Sequence, residues 1–491
     1  MKILIVSTEV SPLAKVGGLA DVAGALHKEL SRLGHEVRIA MPSYPMIEEV
    51  AAHNVRPVLD RVAVPWGDGS AKRAFVKTLT LDKTPVYLIG SKEFFRGATE
   101  SAKLYSPGWE QYAFFSRAVL ESLRAIKPRW IPDVIHIHDW HPGMLPVYLR
   151  ELYSRDPLLS GIAVVATVHN LAYQGEFDPS ILAQAGLPAE LYAMDKLECY
   201  GRVNFLKAGL VYSDMVNTVS ETYACEIQTP EYGCRLDGLL RHLAFNDRLR
   251  GILNGLDYTC FDPAKDPHIK ANYKRTDLAG KSQCKAALRK ELGLPAKKDT
   301  PVIGMVTRLA DQKGLDLVKR ALSKLMTANV QLVILGAGDR SYERWLTTQA
   351  EKYPGRLSVT VGFDPALAQR IYAGCDMFLM PSRFEPCGLG QMIALRYGAV
   401  PIVRRTGGLG DTMTDFDPVK GAGNGFVFEP YDWKHLWKTI ERALSTYADP
   451  AAWSKLVANG MRCDFSTRRM AKRYESLYHE ALRKVSRSMA A

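Results

Sequence analysis

Residues 2–34 read KILIVSTEVSPLAKVGGLADVAGALHKELSRLG. The stretch opens on an apolar run, Ile3–Val6, with no polar alternation, as a strand covered on both faces requires. A polar loop follows and carries Lys15 and the glycine pair Gly17-Gly18. Beyond it Leu19, Val22, Ala23, Leu26, Leu30 and Leu33 share one helical face, and Gly34 supplies a stop. The same cycle of apolar run, small-residue loop and helical pattern returns at Glu36–Ser43, Pro85–Gly90, Val134–Asp139, Ala163–Asn170 and Met215–Ser220. It restarts near residue 300 with Val302–Thr307, Gln331–Gly336, Ser358–Phe363, Met377–Ser382 and Val400–Arg404. Such a series predicts parallel sheets wrapped by helices. A second glycine pair, Gly407-Gly408, follows the last of these runs. Each pair lies between a strand end and a helix start, where backbone N–H groups and the helix dipole attract anions; each also reads simply as a tight turn. Two such loops, one per half, predict two doubly wound domains facing each other across a cleft, with ligands beyond the carboxyl ends of the strands.

At 491 residues the chain exceeds one hydrophobic core. A composition of 47% hydrophobic, 24% charged and 9% aromatic residues excludes a disordered, collagenous or coiled-coil chain. No apolar run nears the roughly 20 residues of a membrane span, and the opening residues read as strand and loop, not a secretory signal. Lys and Arg total 64 against 52 Asp and Glu, and the excess is scattered. Diffuse positive charge suits small anions better than a nucleic-acid groove. The eight cysteines form no Cys-x-x-Cys pair and none precedes Cys199, which predicts reduced thiols in a cytoplasm. A polar stretch from Tyr258 to Asp299 puts the domain junction near Asn254–Asp257, and Ala471–Arg487 predicts a final helix with Tyr474, Leu477, Tyr478 and Leu482 as its apolar side.

Lys15 could add an ammonium to a phosphate held by the first glycine loop. Arg308 and Lys313 follow the strand at Val302–Thr307 and place two cations where a diphosphate would need them; a solvated basic loop, contributing little to folding, is the alternative. In Pro381-Ser382-Arg383-Phe384-Glu385-Pro386-Cys387-Gly388-Leu389, Pro386 prevents a regular helix through Glu385 and is expected to hold that carboxylate at the cleft edge. Glu385 could also cap the helix expected over Gly390–Tyr397, a role compatible with the first. His136, His138, Asp139 and His141 suggest a metal, but no Cys or Glu stands at ligand spacing, so a polar, substrate-binding strand end is the better reading. His169-Asn170 and the polar, aromatic loop to Gly175 suit a sugar. Phe363, closing its strand, is placed to stack on a base or to fill the core.

These segments resemble the bacterial glycogen synthases and plastid starch synthases. The likeness is carried by Lys15-Val16-Gly17-Gly18-Leu19-Ala20-Asp21, His136 through His141, His169 through Gly175, Asn254-Gly255-Leu256-Asp257, Arg308 with Lys313, Ser382 through Leu389 and Arg404 through Leu409. It runs in unbroken order from residue 1 to about 430, and Val16 departs from the Thr of many bacterial members. The resemblance implies an α/β GT-B fold: Rossmann-like domains at 1–254 (glucan acceptor side) and 255–470 (nucleotide-sugar donor side) across a deep cleft, with 471–491 returning to the first. It implies retaining transfer of glucose from ADP-glucose to the non-reducing end of an α-1,4-glucan, with no metal or other cofactor. Lys15, Gly18, Arg308 and Lys313 would hold the diphosphate, with Gly17 and Asp21 in the same loop. Asp139, His169 and Asn254 would contact the transferred glucose, and Glu385 its hydroxyls. Cys387, Gly388 and Leu389 would line that wall, Thr406, Gly407 and Gly408 would approach phosphate and sugar, and Phe363 would stack on the base. Catalysis would rest on Glu385, Lys313, Arg308, Lys15, His169 and Asp139. A transferase for UDP-glucose or another nucleotide sugar and a non-catalytic glucan- or nucleotide-binding protein are the competing readings.

Overall fold

A computed structural model describes residues 1–50, 54–100, 103–105, 108–297 and 299–490, so residue 491 of the expected final segment lies outside the described residues. The chain divides into two compact units. The N-terminal unit comprises Met1–Val219, Ala224–Gly255 and the segment from Thr467; the C-terminal unit comprises Leu256–Ser466 with Ser220–Tyr223. The last four residues group there because the Asp411 carboxylate accepts from the backbone N–H of Glu221 at 2.7 Å and of Thr222 at 3.2 Å.

Among the described residues the C-terminal unit has a six-stranded sheet ordered Leu357–Val361, Gln331–Gly336, Val302–Val306, Met377–Met380, Val400–Arg404, Phe426–Phe428. Every neighbouring pair is parallel. In chain order this is 3-2-1-4-5-6, the doubly wound arrangement whose winding reverses between its first and fourth strands. The loops leaving that point are 307–314 and 381–389, where Lys313 and Glu385 sit.

The N-terminal sheet has nine strands: Leu249–Gly251, Met215–Thr218, Ala163–Val168, Val134–His138, Lys2–Val6, Glu36–Pro42, Thr84–Gly90, Ala71–Leu81 and Arg56–Pro65. Its winding reverses between Lys2–Val6 and Val134–His138, which pair in parallel from Ile3 opposite Val134. The loops leaving there carry Lys15 and Asp139. Ile3, Leu4, Ile5 and Val6 are fully buried, each side chain contributing about 1.5–3 kcal/mol.

Two features depart from the sequence-based expectation. The last two strands of that order form an antiparallel hairpin with the Thr84–Gly90 edge. Charged residues at Arg56, Asp60, Arg61, Lys72, Arg73 and Lys77 break it up, leaving Val62–Pro65 and Ala74–Val76 as its longest apolar runs. The final helix begins at Thr467, not Ala471, and runs to Ala490. Tyr474, Leu477, Tyr478, Ala481 and Val485 are its buried side, while Leu482 is only partly covered.

Candidate active site

In the N-terminal unit the loop after the first strand is organised by a residue without an assigned role. Glu9 is 3% exposed, and its Oε2 accepts from the backbone N–H of Val16 at 2.6 Å and of Gly17 at 2.9 Å. Its Oε1 takes the Tyr105 hydroxyl. The loop thus binds an anion, as the glycine pair suggested, but the anion at these two amides is the protein's own carboxylate. Gly17 N-caps the helix Gly18–Arg32, and Lys15 forms a 2.6 Å ion pair with Asp21 in that helix's first turn.

Asp139 follows the strand Val134–His138 and turns the chain with φ of 58°. Its Oδ1 accepts from the backbone N–H of His169, at 2.7 Å. Burial pushes its carboxyl up to about 7, against the lowering effect of backbone hydrogen bonds from His169 and Asn170. Burial drives His169 down to about 3, so the ring is neutral at physiological pH. His138 Nδ1 lies 2.9 Å from His169 Nε2.

The expectation that His136 and His138 form a substrate-binding strand end is corrected. Both are fully buried; His136 bonds Thr167 and the Tyr478 hydroxyl of the final helix. Asp139 and His169, past the strand ends, are partly exposed. Among the described residues no group of three His, Cys, Asp or Glu is disposed to hold a metal ion. Asn254 is buried, and its Oδ1 has no partner among the described residues.

In the C-terminal unit, Lys313 donates to Glu385 Oε2 at 2.7 Å, and the Ser382 hydroxyl donates to the same oxygen at 2.9 Å. The side chains of Lys313 and Glu385 are 15% and 7% exposed. This overturns two alternatives: Lys313 is not a solvated loop cation, and Glu385 does not cap the following helix. That helix, Gly390–Arg396, is preceded by Leu389 and has no side-chain cap. Gln312 knits the two loops together: its carbonyl accepts from Arg383 N at 2.9 Å and its Nε2 donates to the Phe384 carbonyl at 3.3 Å. Arg308, by contrast, is exposed and bonds Gln312 at 3.1 Å.

The second glycine pair has a packing role. A Cβ on Gly407 would stand 2.0 Å from the Glu385 carbonyl oxygen, and one on Gly408 would stand 2.2 Å from that of Cys387. Only glycine lets the segment after Thr406 lie on the Glu385 turn, and Gly408 N–H donates to the Glu385 carbonyl at 3.1 Å. Cys387 is buried, Leu389 is half-buried, and Gly388 has φ of 74°, its carbonyl accepting from Gln391 at 2.9 Å. Phe363 stands apart from these residues. Its strand ends at Val361, Gly362 turns the chain, and Phe363 is 84% exposed, which overturns the core alternative.

Glu9 and Tyr105 are what sequence reasoning missed, and Ser382 was quoted with its turn but given no role. A carboxylate three residues past a strand carries no motif, although loops at a winding reversal are where ligands bind.

Two doubly wound units with cations and a buried carboxylate at the reversal points fit the glycosyltransferases. Residues 288–458 match the family model for glycosyl transferases group 1, and residues 2–242 match that for the starch synthase catalytic domain. A glycogen synthase of Moorella thermoacetica is 48% identical over 493 residues, covering 100% of this chain and 98% of its own. One from Geotalea uraniireducens is 47% identical over 490 residues, covering 99% and 100%. The catalytic domain of starch synthase IV from Arabidopsis thaliana, solved bound to ADP and acarbose, superposes with a TM-score of 0.89 at 35% identity, covering 98% of this chain and 99% of that one. A sucrose-phosphate synthase from Thermosynechococcus elongatus, at TM-score 0.60 and 18% identity, shares the fold alone. The chain belongs to the glycogen and starch synthase family of glycosyltransferases.

Proposed function

We propose that the chain transfers glucose from ADP-glucose to the non-reducing end of an α-1,4-glucan with retention of configuration. The observation that carries this reading is the ADP- and acarbose-bound starch synthase, a relative alike over nearly the full length of both chains. The side chains suit the chemistry. As the glycosidic bond to the nucleotide breaks, negative charge builds on the departing diphosphate, and fixed cations lower that barrier. In the C-terminal unit, the proposed donor side, Arg308 and Lys313 supply the charge, Glu385 takes sugar hydroxyls, and exposed Phe363 stacks on the base. Leu389, Cys387 and Gly388 line the wall by Glu385, and Thr406, Gly407 and Gly408 approach the phosphate. In the N-terminal unit, the proposed acceptor side, Lys15 and Gly18 meet the diphosphate, while Asp139, His169 and Asn254 hold the glucose.

A phosphate oxygen of the departing nucleotide can accept the acceptor's proton, so the reaction as proposed needs neither a protein base nor a metal, and turnover should survive exhaustive chelation. No disulfide joins the eight cysteines among the described residues, which suits a reducing cytoplasm. No helix among the described residues is long and apolar enough to cross a membrane. The test is label transfer from ADP-glucose and UDP-glucose, in parallel, onto glycogen. Higher kcat/KM with ADP-glucose is expected. Equal or better use of UDP-glucose defeats the donor assignment, and no transfer from either defeats the reading.

A further inference from the structure

His136 and His138 lie on one face of a buried strand and are both neutral, since burial drives each imidazole below its ordinary value. Each therefore carries one N–H and one lone pair. For His136 the partners fix which nitrogen holds the hydrogen. Asn217 Nδ2 points at two groups, the Thr218 carbonyl at 3.3 Å and the Tyr474 hydroxyl at 3.1 Å. The carbonyl can only accept, so this atom is the amide nitrogen and Asn217 Oδ1 faces Thr167. The Thr167 hydroxyl donates to that oxygen at 2.7 Å. Having given its hydrogen there, it must accept at the 2.6 Å contact with His136 Nε2. His136 is the Nε2–H tautomer, and its Nδ1 accepts the Tyr478 hydroxyl at 2.9 Å. These bonds tie the final helix to the sheet and leave His136 nothing further to give.

His138 stands outside this set. Its Nδ1 meets His169 Nε2 at 2.9 Å, and its own Nε2 is buried with no partner among the described residues. One hydrogen lies between the two rings. Were His169 the donor, His138 would carry its hydrogen on Nε2, as a buried N–H with nothing to receive it. With His138 donating from Nδ1, the unpartnered atom is a lone pair. Orphaned buried N–H groups are the rarer of the two.

We propose that His138 is a positioning residue for the transfer site: its Nδ1–H donates to His169 Nε2 and holds His169 as the Nδ1–H tautomer, with that N–H presented to a sugar hydroxyl. Asp139, accepting from the backbone of His169, fixes the same residue from its other end. Among the described residues no hydrogen bond engages His169 Nδ1. The sugar contact rests on the function proposed above; the tautomer does not.

The test therefore has two arms. In protein labelled with ring-15N histidine, the His169 signals, assigned by their loss in His169→Gln, should show a protonated Nδ1 and a bare Nε2. The reverse tautomer overturns the proposal, whatever the enzyme does. In the kinetic arm, His138→Leu removes the donor and should lower kcat about 10²-fold, as loss of one preorganised donor does. His138→Asn, which keeps an N–H near the Nδ1 position, should recover at least a tenth of wild-type kcat. Unchanged turnover in His138→Leu, or equal losses in both variants, overturns the positioning role. If the wild type transfers glucose from neither nucleotide sugar, the functional reading fails and the ring spectrum alone decides.

Discussion

Replacing Lys313 by Ala should destabilise the C-terminal unit as well as slow the reaction. The Lys313 ammonium and Glu385 carboxylate are 2.7 Å apart with little solvent on either side chain. Removing one partner of a buried pair leaves an uncompensated charge, at a cost of about 3–5 kcal/mol. Ser382 still donates to the same carboxylate oxygen at 2.9 Å, which argues for the lower end, about 3 kcal/mol. For a unit of this size that is a fall in melting temperature of roughly 6–12 °C. Changing Glu385 to Gln in the same chain removes the stranded charge, so the double variant should regain about 1–2 kcal/mol over Lys313→Ala, a coupling of the size expected for contacting residues. Because two units need not unfold together, hydrogen exchange read by mass spectrometry is the better assay. Peptides from Val302–Val306, Leu315–Thr327 and Met377–Met380 should exchange faster, and those of the N-terminal sheet should not. A melting temperature within 2 °C of wild type, with unchanged exchange in those peptides, would refute the claim that this pair is buried and coupled. The turnover of Lys313→Ala and Arg308→Ala should fall by roughly 10²–10³, but Arg308, being exposed, should leave stability unchanged.

Phe363→Ala should raise KM for ADP-glucose and leave kcat within a few-fold, since stacking is equal in ground and transition states; its melting temperature should not move, because the ring is exposed. Gly408→Ala should lose most activity and some stability, because its Cβ would meet the Cys387 carbonyl oxygen at 2.2 Å, whereas a Cβ at Gly17 meets nothing within 4 Å and Gly17→Ala should keep the wild-type melt. Asp139 has a folded-state value of about 7 against 3.8 for the free group, so its contribution to stability is present below the lower value and is lost as pH rises through the higher. Melts of wild type and Asp139→Asn at pH 5 and pH 8 should show the variant gaining relative to wild type at the higher pH, and a constant difference would count against the raised value.

The strands Lys2–Val6 and Val302–Val306 were legible because they are unalternated apolar runs followed by loops and amphipathic helices, whereas the reversal of winding beside each was not. Sequence fails where structure depends on a half-wet surface. The hairpin Arg56–Pro65 with Ala71–Leu81 carries its charges outward, and its signal is diluted by every second residue. The ends of strands were read too long for a related reason: the residues that leave the sheet, such as Asp139 and Gly362, are decided by turn conformation, which hydropathy does not encode.

At the site, residue types were readable and pairings were not. Lys313 and Glu385 each looked like a surface charge waiting for a ligand, because nothing in a linear sequence says that residues 72 apart share a hydrogen bond. Once paired, each changes the other's chemistry. The ammonium no longer offers a full free charge to a phosphate, and the carboxylate has one oxygen, Oε2, already taken by Lys313 and Ser382. The same holds for Glu9, whose carboxylate fills amides that the glycine motif seemed to leave open. In each loop the protein meets its own charges with its own partners, so an anion bound at either would have to compete with those contacts or add to them. Exposed Arg308 is the one of these cations that could add a charge without breaking an ion pair, since Lys15 is tied to Asp21 and Lys313 to Glu385. On that ground Arg308→Ala should weaken donor binding with the steeper salt dependence removed, while Lys313→Ala should both remove a charge from the diphosphate and release Glu385 from its place.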